Sequence, residues 1–117
     1  MKITLCLTLT LMILTIAGFS SMAFAKDKTT AFIIDVRTVQ EWNNGHIEGA
    51  ILIPYDQIDK SIGAAVRDKS QKIYVYCRSG RRAAIAKETL DKLGYKDVVN
   101  LGSMEDAAGI LKLKIVK

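Results

Sequence analysis

The chain has 117 residues, half of them hydrophobic, with 17 Lys and Arg against 12 Asp and Glu for a formal net charge of +5. That length supports one small domain rather than two, and a basic excess this modest and dispersed argues against a nucleic-acid-binding surface. There are no internal repeats and no low-complexity segments.

From the N-terminus, Lys2 supplies a positive charge ahead of an apolar stretch, Ile3 to Ala17, interrupted only by Thr and Cys. Gly18, Ser20 and Ser21 break it, and Ala23-Phe24-Ala25 places small residues where a signal peptidase reads. This pattern predicts a secretory signal peptide over residues 1–25, cleaved after Ala25. An uncleaved anchor is the rival, but a membrane span needs about 20 apolar residues, more than this stretch offers. Cleavage places the domain, residues 26–117, in the periplasm or outside the cell, with no stable membrane association. Cys6 leaves with the signal segment, so Cys77 remains as the one thiol. It has no partner for an intramolecular disulfide in an oxidising compartment, and is therefore either buried as a small hydrophobe or used.

Further along, Phe32-Ile33-Ile34-Asp35-Val36 reads as a buried strand, and Val39 to Asn43 as a short helix stopped by Asn43-Asn44-Gly45. Ala50 to Ile53 is a second strand, closed by Pro54, and Asp56 to Val66 is helical with Ile58, Ile62, Ala65 and Val66 on one side. Ile73 to Tyr76 forms a third strand. Ala83 to Leu93 is an amphipathic helix, with Ala86, Leu90 and Leu93 on one face and Gly94 as its stop. Asp97 to Leu101 is a fourth strand, Met104 to Ala108 a helical turn, and the tail to Lys117 has no clear assignment. Apolar strands alternating with helices predict an α/β domain with a mostly parallel central sheet flanked by helices on both faces. In such sheets ligands bind beyond the carboxyl ends of the strands.

Cys77 stands at one of those ends. It opens the run Cys77-Arg78-Ser79-Gly80-Arg81-Arg82 between the third strand and the helix that follows. Backbone N–H groups of such a loop, with the positive end of the helix, make an anion cradle, and three arginines add charge. A thiol there is expected to be acidic and largely thiolate, the reactive form. Three arginines and a glycine are poor surroundings for an inert apolar thiol.

Three segments together resemble the rhodanese (thiosulfate sulfurtransferase) family in its small, single-domain periplasmic form. They are Asp35-Val36-Arg37 with Glu41-Trp42, then Gly45-His46-Ile47-Glu48-Gly49-Ala50 running to Ile53-Pro54, then the Cys77 to Arg82 loop. The resemblance implies a rhodanese-like fold over residues 26–117 and Cys77 as nucleophile. Its thiolate would take the outer sulfur of thiosulfate as a persulfide, and cyanide or a thiol acceptor would remove it, a ping-pong scheme. Amides of Arg78, Ser79, Gly80, Arg81 and Arg82 would hold the terminal sulfur, with Gly80 at positive φ. Arg82 would bond the loop's own carbonyls, while Arg78 and Arg81 meet the incoming anion. Asp35 and Arg37 are expected as a structural charge pair, Trp42 as a core or pocket-wall residue, and His46 as structural support rather than a Cys–His partner. Two departures stand out: Ala83 follows the loop where many relatives carry Ser or Thr, and Gly102-Ser103 replaces a Gly-Gly pair.

One Cys and one His do not make a metal site, and no dinucleotide fingerprint or Walker loop is present, so no metal or cofactor is expected. The domain is expected to act as a monomer. A non-enzymatic persulfide carrier that hands sulfur to a protein partner is the alternative. A Cys-based phosphatase or arsenate reductase would need a larger loop with its arginine one place later, where Ala83 stands.

Overall fold

The computed structural model describes residues 31–117, so the expected signal segment lies outside the described residues. Ten elements follow in chain order. They are β1 (Phe32–Asp35), α1 (Val39–Asn43), β2 (His46–Ile47), β3 (Ile51–Leu52), α2 (Ile58–Ala65), β4 (Lys72–Cys77), α3 (Arg81–Lys92), β5 (Asp97–Ser103), α4 (Met104–Leu111) and β6 (Ile115–Val116). The apolar, β-branched runs become β1, β3, β4 and β5, which form one parallel sheet in the order β3-β1-β4-β5.

Alternation along the strands divides the interior in two. Ile34, Val36, Ile73, Val75 and Cys77 face α2 and α3, where Ile58, Ile62, Ala83, Ala86 and Leu90 cover them. Tyr76 and Leu101 face the other way, toward Ile47 of β2 and Ala107 of α4. Helices therefore flank both faces, as the alternating pattern requires.

The order of strands decides where a ligand can sit. From β1 the chain passes to β3 on one side, then crosses back to β4 on the other. Connections leaving the carboxyl ends of β1 and β4 run to opposite faces of the sheet, and a crevice opens between them. Arg37 and Cys77 stand at its edges.

Two elements escaped the sequence reading. His46–Ile47 pairs antiparallel with Ile115–Val116, which gives the unassigned tail a strand. Two-residue strands carry no periodicity to detect. This small ladder is tied to the main sheet by Tyr76, whose hydroxyl accepts the Ile47 N–H at 3.0 Å. Burial pushes the Tyr76 phenol above its usual range, so it stays neutral. Among the described residues no helix is long and apolar enough to cross a membrane.

Tyr76→Phe removes the acceptor from a buried amide and should lower unfolding free energy by about 2 kcal/mol, the usual cost of an unsatisfied buried donor. Urea denaturation with an unchanged m-value would measure it. A loss under about 0.5 kcal/mol would mean that the hydroxyl does not anchor β2.

Candidate active site

The site begins with a local conflict between strand and helix. β4 delivers Cys77 at its last position, and α3 starts at Arg81, two residues earlier than the amphipathic pattern indicates. Polar arginines occupy that first turn, so hydrophobic periodicity misses it. Only Arg78, Ser79 and Gly80 separate strand from helix, and the chain reverses through Gly80 at φ +93°, ψ −11°. This left-handed conformation favours glycine, as the sequence predicts.

Helix α3 leaves its N-terminal amides without the usual partner. Thr38 caps α1 and Ser103 caps α4 through their side chains, but no side chain caps α3, and its first turn carries no acidic residue. The acceptor is instead the Cys77 sulfur, which takes the Gly80 N–H at 2.9 Å. Burial alone pushes this thiol up. Amides of Ala83, Ser79, Gly80 and Arg82 outweigh it, and the thiol ends below its ordinary value. The side chain has no exposed surface. A buried thiol and an acidic one, set against each other in the sequence reading, thus coincide in one residue. The arginine side chains contribute less than expected, because the backbone amides carry most of the effect.

Arg82 does not bond the loop's carbonyls. Its guanidinium forks onto Glu41, with Nη1–Oε1 at 2.6 Å and Nη2–Oε2 at 2.9 Å. Glu41 also closes the capping box of α1 with Thr38, so a single carboxylate joins the start of α1 to the first turn of α3. That fork is legible only in space, because Glu41 and Arg82 are far apart in the chain. Arg78 and Arg81 remain exposed, as anticipated.

Asp35 and Arg37 form the expected structural pair. Arg37 reaches Asp35 through Nη2–Oδ2 at 2.7 Å and Nε–Oδ1 at 3.0 Å, and donates to the Gly45 carbonyl at 2.7 Å. Both are buried. His46 is engaged with Trp42: its Nδ1 donates to the Trp42 carbonyl at 3.1 Å, and its ring stacks on Trp42 with centroids 3.5 Å apart. Trp42 is half-buried and joins neither interior cluster, so it supports His46 rather than the core.

Two hollows border the loop. One of about 560 Å³ is lined by Tyr55, Arg78, Ser79, Arg81, Arg82 and Ile85. The other, of about 290 Å³, lies between Arg37, Glu41, Arg78 and Glu105. The Glu41–Arg82 fork separates them, and Arg78 reaches both. Arg78 and Arg81 bring exposed cationic groups to the first, whereas the charge of Arg82 is met by Glu41. Asn100, which the sequence reading passed over, donates from Nδ2 to the Gly80 carbonyl at 3.0 Å.

The Arg82 guanidinium brings the Glu41 carboxyl down from 4.5 to about 2. Its contribution to stability is therefore complete above pH 4.5 and is lost as pH falls toward 2. Glu41→Gln should cost about 1 kcal/mol at neutral pH for this partly exposed pair, and the difference from wild type should vanish near pH 2. Equal stabilities of the two proteins at pH 7 in urea titrations would show the fork to be idle.

The chain is similar in sequence and in fold to known proteins. Residues 20–108 match the Rhodanese-like domain family. Thiosulfate sulfurtransferase PspE of Escherichia coli is 41% identical over 75 residues, covering 64% of this chain and 72% of that protein. A solved structure described as a rhodanese with anions from E. coli superposes with a TM-score of 0.70 at 38% identity, over 75% of this chain and 99% of that one. A rhodanese-related protein from Thermoplasma volcanium gives a TM-score of 0.60 at 28% identity, over 74% and 83%. Other curated relatives are longer, the chain spanning 36% of one from Bacillus subtilis and 18% of one from Mycobacterium tuberculosis. With more than half of its length matched and the cysteine loop built at the end of a parallel strand, this chain belongs to the rhodanese-like family.

Proposed function

We propose that this protein is an exported thiosulfate sulfurtransferase in which Cys77 carries the transferred sulfur. The observation that carries the reading is the Cys77 sulfur itself, held by the Gly80 amide at the uncapped start of α3 and made acidic by its ring of N–H groups. The similarity to the thiosulfate sulfurtransferase of E. coli supports thiosulfate as the donor.

Thiosulfate enters through the arginine-lined hollow, its charge met by Arg78 and Arg81. The Cys77 thiolate attacks the outer sulfur. A sulfur–sulfur bond forms on the enzyme, the one in thiosulfate breaks, and its electron pair departs on sulfite. The terminal sulfur of the persulfide then carries the charge, which the loop amides can accept as they accept the thiolate. Cyanide or a thiolate next attacks that sulfur, and the electron pair returns to Cys77 as thiocyanate or a new persulfide leaves. Because the loop amides lower the thiol's pKa and favour the thiolate, the attack draws on the anion without a neighbouring general base. That agrees with His46 being committed to Trp42.

The covered position of Cys77 has a consequence for access. With no exposed surface in the resting state, the sulfur meets its donor when the loop or the flanking side chains move aside. Exposed Arg78 and Ser79 are the residues free to do so.

Thiosulfate supplied without an acceptor should add one sulfur atom to the protein by intact mass spectrometry, and cyanide should remove it. Cys77→Ser should take up none, and rapid thiocyanate release over many turnovers should distinguish an enzyme from a carrier. Sulfur uptake by the serine variant would overturn the assignment. If residues 1–25 direct export, N-terminal sequencing of the native protein should begin at Lys26, whereas full-length protein in the membrane would favour an anchor.

A further inference from the structure

The loop that holds Cys77 is itself held from β5. Asn100 spans the junction. Its Nδ2 donates to the Gly80 carbonyl at 3.0 Å, and its Oδ1 accepts the Gly102 N–H at 2.8 Å. Both ends of the carboxamide are thereby fixed, so the group cannot rotate without losing a bond.

The sheet is irregular at this point. β4 and β5 run in register from Lys72–Asp97 to Val75–Asn100, and then Cys77 faces Ser103, so β5 takes one residue more than its partner. Gly102 lies in this bulge at φ +86°. A side chain added at Gly80 would meet the Gly102 Cα at 3.3 Å, so the two glycines let the loop rest directly on β5. Bulges beside sites commonly re-aim a side chain, and here the side chain so aimed is Asn100.

Gly80 connects the two halves of the device. Its N–H points at the Cys77 sulfur, and its carbonyl accepts both the Ala84 N–H at 2.9 Å, the first bond within α3, and the Asn100 Nδ2 from the side of β5. Fixing the carbonyl fixes the left-handed turn, and with it the direction of the N–H. We propose that Asn100 is a positioning residue, which holds Gly80 through its carbonyl so that the loop amides stay aimed at the Cys77 sulfur. Its effect on sulfur transfer rests on the function proposed above, but its effect on the thiol does not.

The test follows that division. Alkylation of Cys77 by iodoacetamide against pH reads the amide ring whether or not the protein turns over thiosulfate. In Asn100→Ala the inflection should move up by about one pH unit, because weakening one amide bond changes the ionisation equilibrium about tenfold. Asn100→Asp should move it further, since a carboxylate oxygen would face the Gly80 carbonyl and the thiolate. Thiocyanate formation at neutral pH should fall about tenfold in kcat for Asn100→Ala with little change in KM. Circular dichroism would establish that the variants fold. In case they do not, the wild type offers a second readout by NMR: the Asn100 side-chain NH2 signals should exchange slowly and shift when Cys77 is alkylated. An alkylation profile of folded Asn100→Ala superposing on wild type, or NH2 signals indifferent to Cys77, would overturn the proposal. A shifted profile with no sulfur transfer in either protein would leave Asn100 in place and overturn the function instead.

Discussion

The amides at the start of α3 must find an acceptor, and the arrangement around Cys77 follows from the one they find. A helix begins with four N–H groups that have no partner within it, usually met by a Ser, Thr, Asp or Asn side chain or by water. Here Gly80 occupies the capping position and the Cys77 sulfur serves as acceptor. The arrangement reverses what burial alone would do. An enclosed thiol is otherwise pushed toward its neutral, inert form, but a ring of fixed dipoles favours the anion. Arg78 and Arg81 stay exposed beside it.

A ring of dipoles is useful only if it stays in place, and three contacts hold it from three directions. Arg82 is forked onto Glu41 of α1, Gly80 rests against β5 through Asn100, and Cys77 itself belongs to β4, a central strand of the sheet. Beneath them Asp35 and Arg37 brace the carboxyl end of β1 and reach the turn at Gly45. Taking an ion pair out of water is costly unless geometry is good. The bidentate contact and the added carbonyl supply that geometry. Rigid elements thus meet around a short loop at the one place where connections leave the sheet toward opposite faces.

Much of this was legible beforehand because it depends on near neighbours in the chain. Strands β1, β4 and β5 announce themselves as apolar runs, and Gly80 is read from its place between a strand and a helix. Cys77 stands out because a thiol beside three arginines fits poorly with a purely apolar role. What escaped notice is long-range or short-lived. The pairing of β2 with β6 involves two residues on each side, too few for any period. Glu41 and Asn100 are ordinary polar residues whose importance arises only when α1 and β5 are brought against the loop. Helix α3 begins two residues before its apolar pattern because Arg81 and Arg82 open it with charge.

By itself, then, the order of residues determined an α/β domain with a parallel sheet and an acidic thiol at the carboxyl end of a strand, since periodicity, glycine placement and local charge are properties of adjacent positions. Only the tertiary structure decided which groups ionise that thiol and which hold it. The arginines beside Cys77 in the chain point outward or engage Glu41, while the amides turn inward, because a side chain in the first turn of a helix points away from the axis and the backbone N–H points along it. Proximity in sequence placed the charges, and the direction of the helix determined that the backbone dipoles act on the sulfur ahead of them.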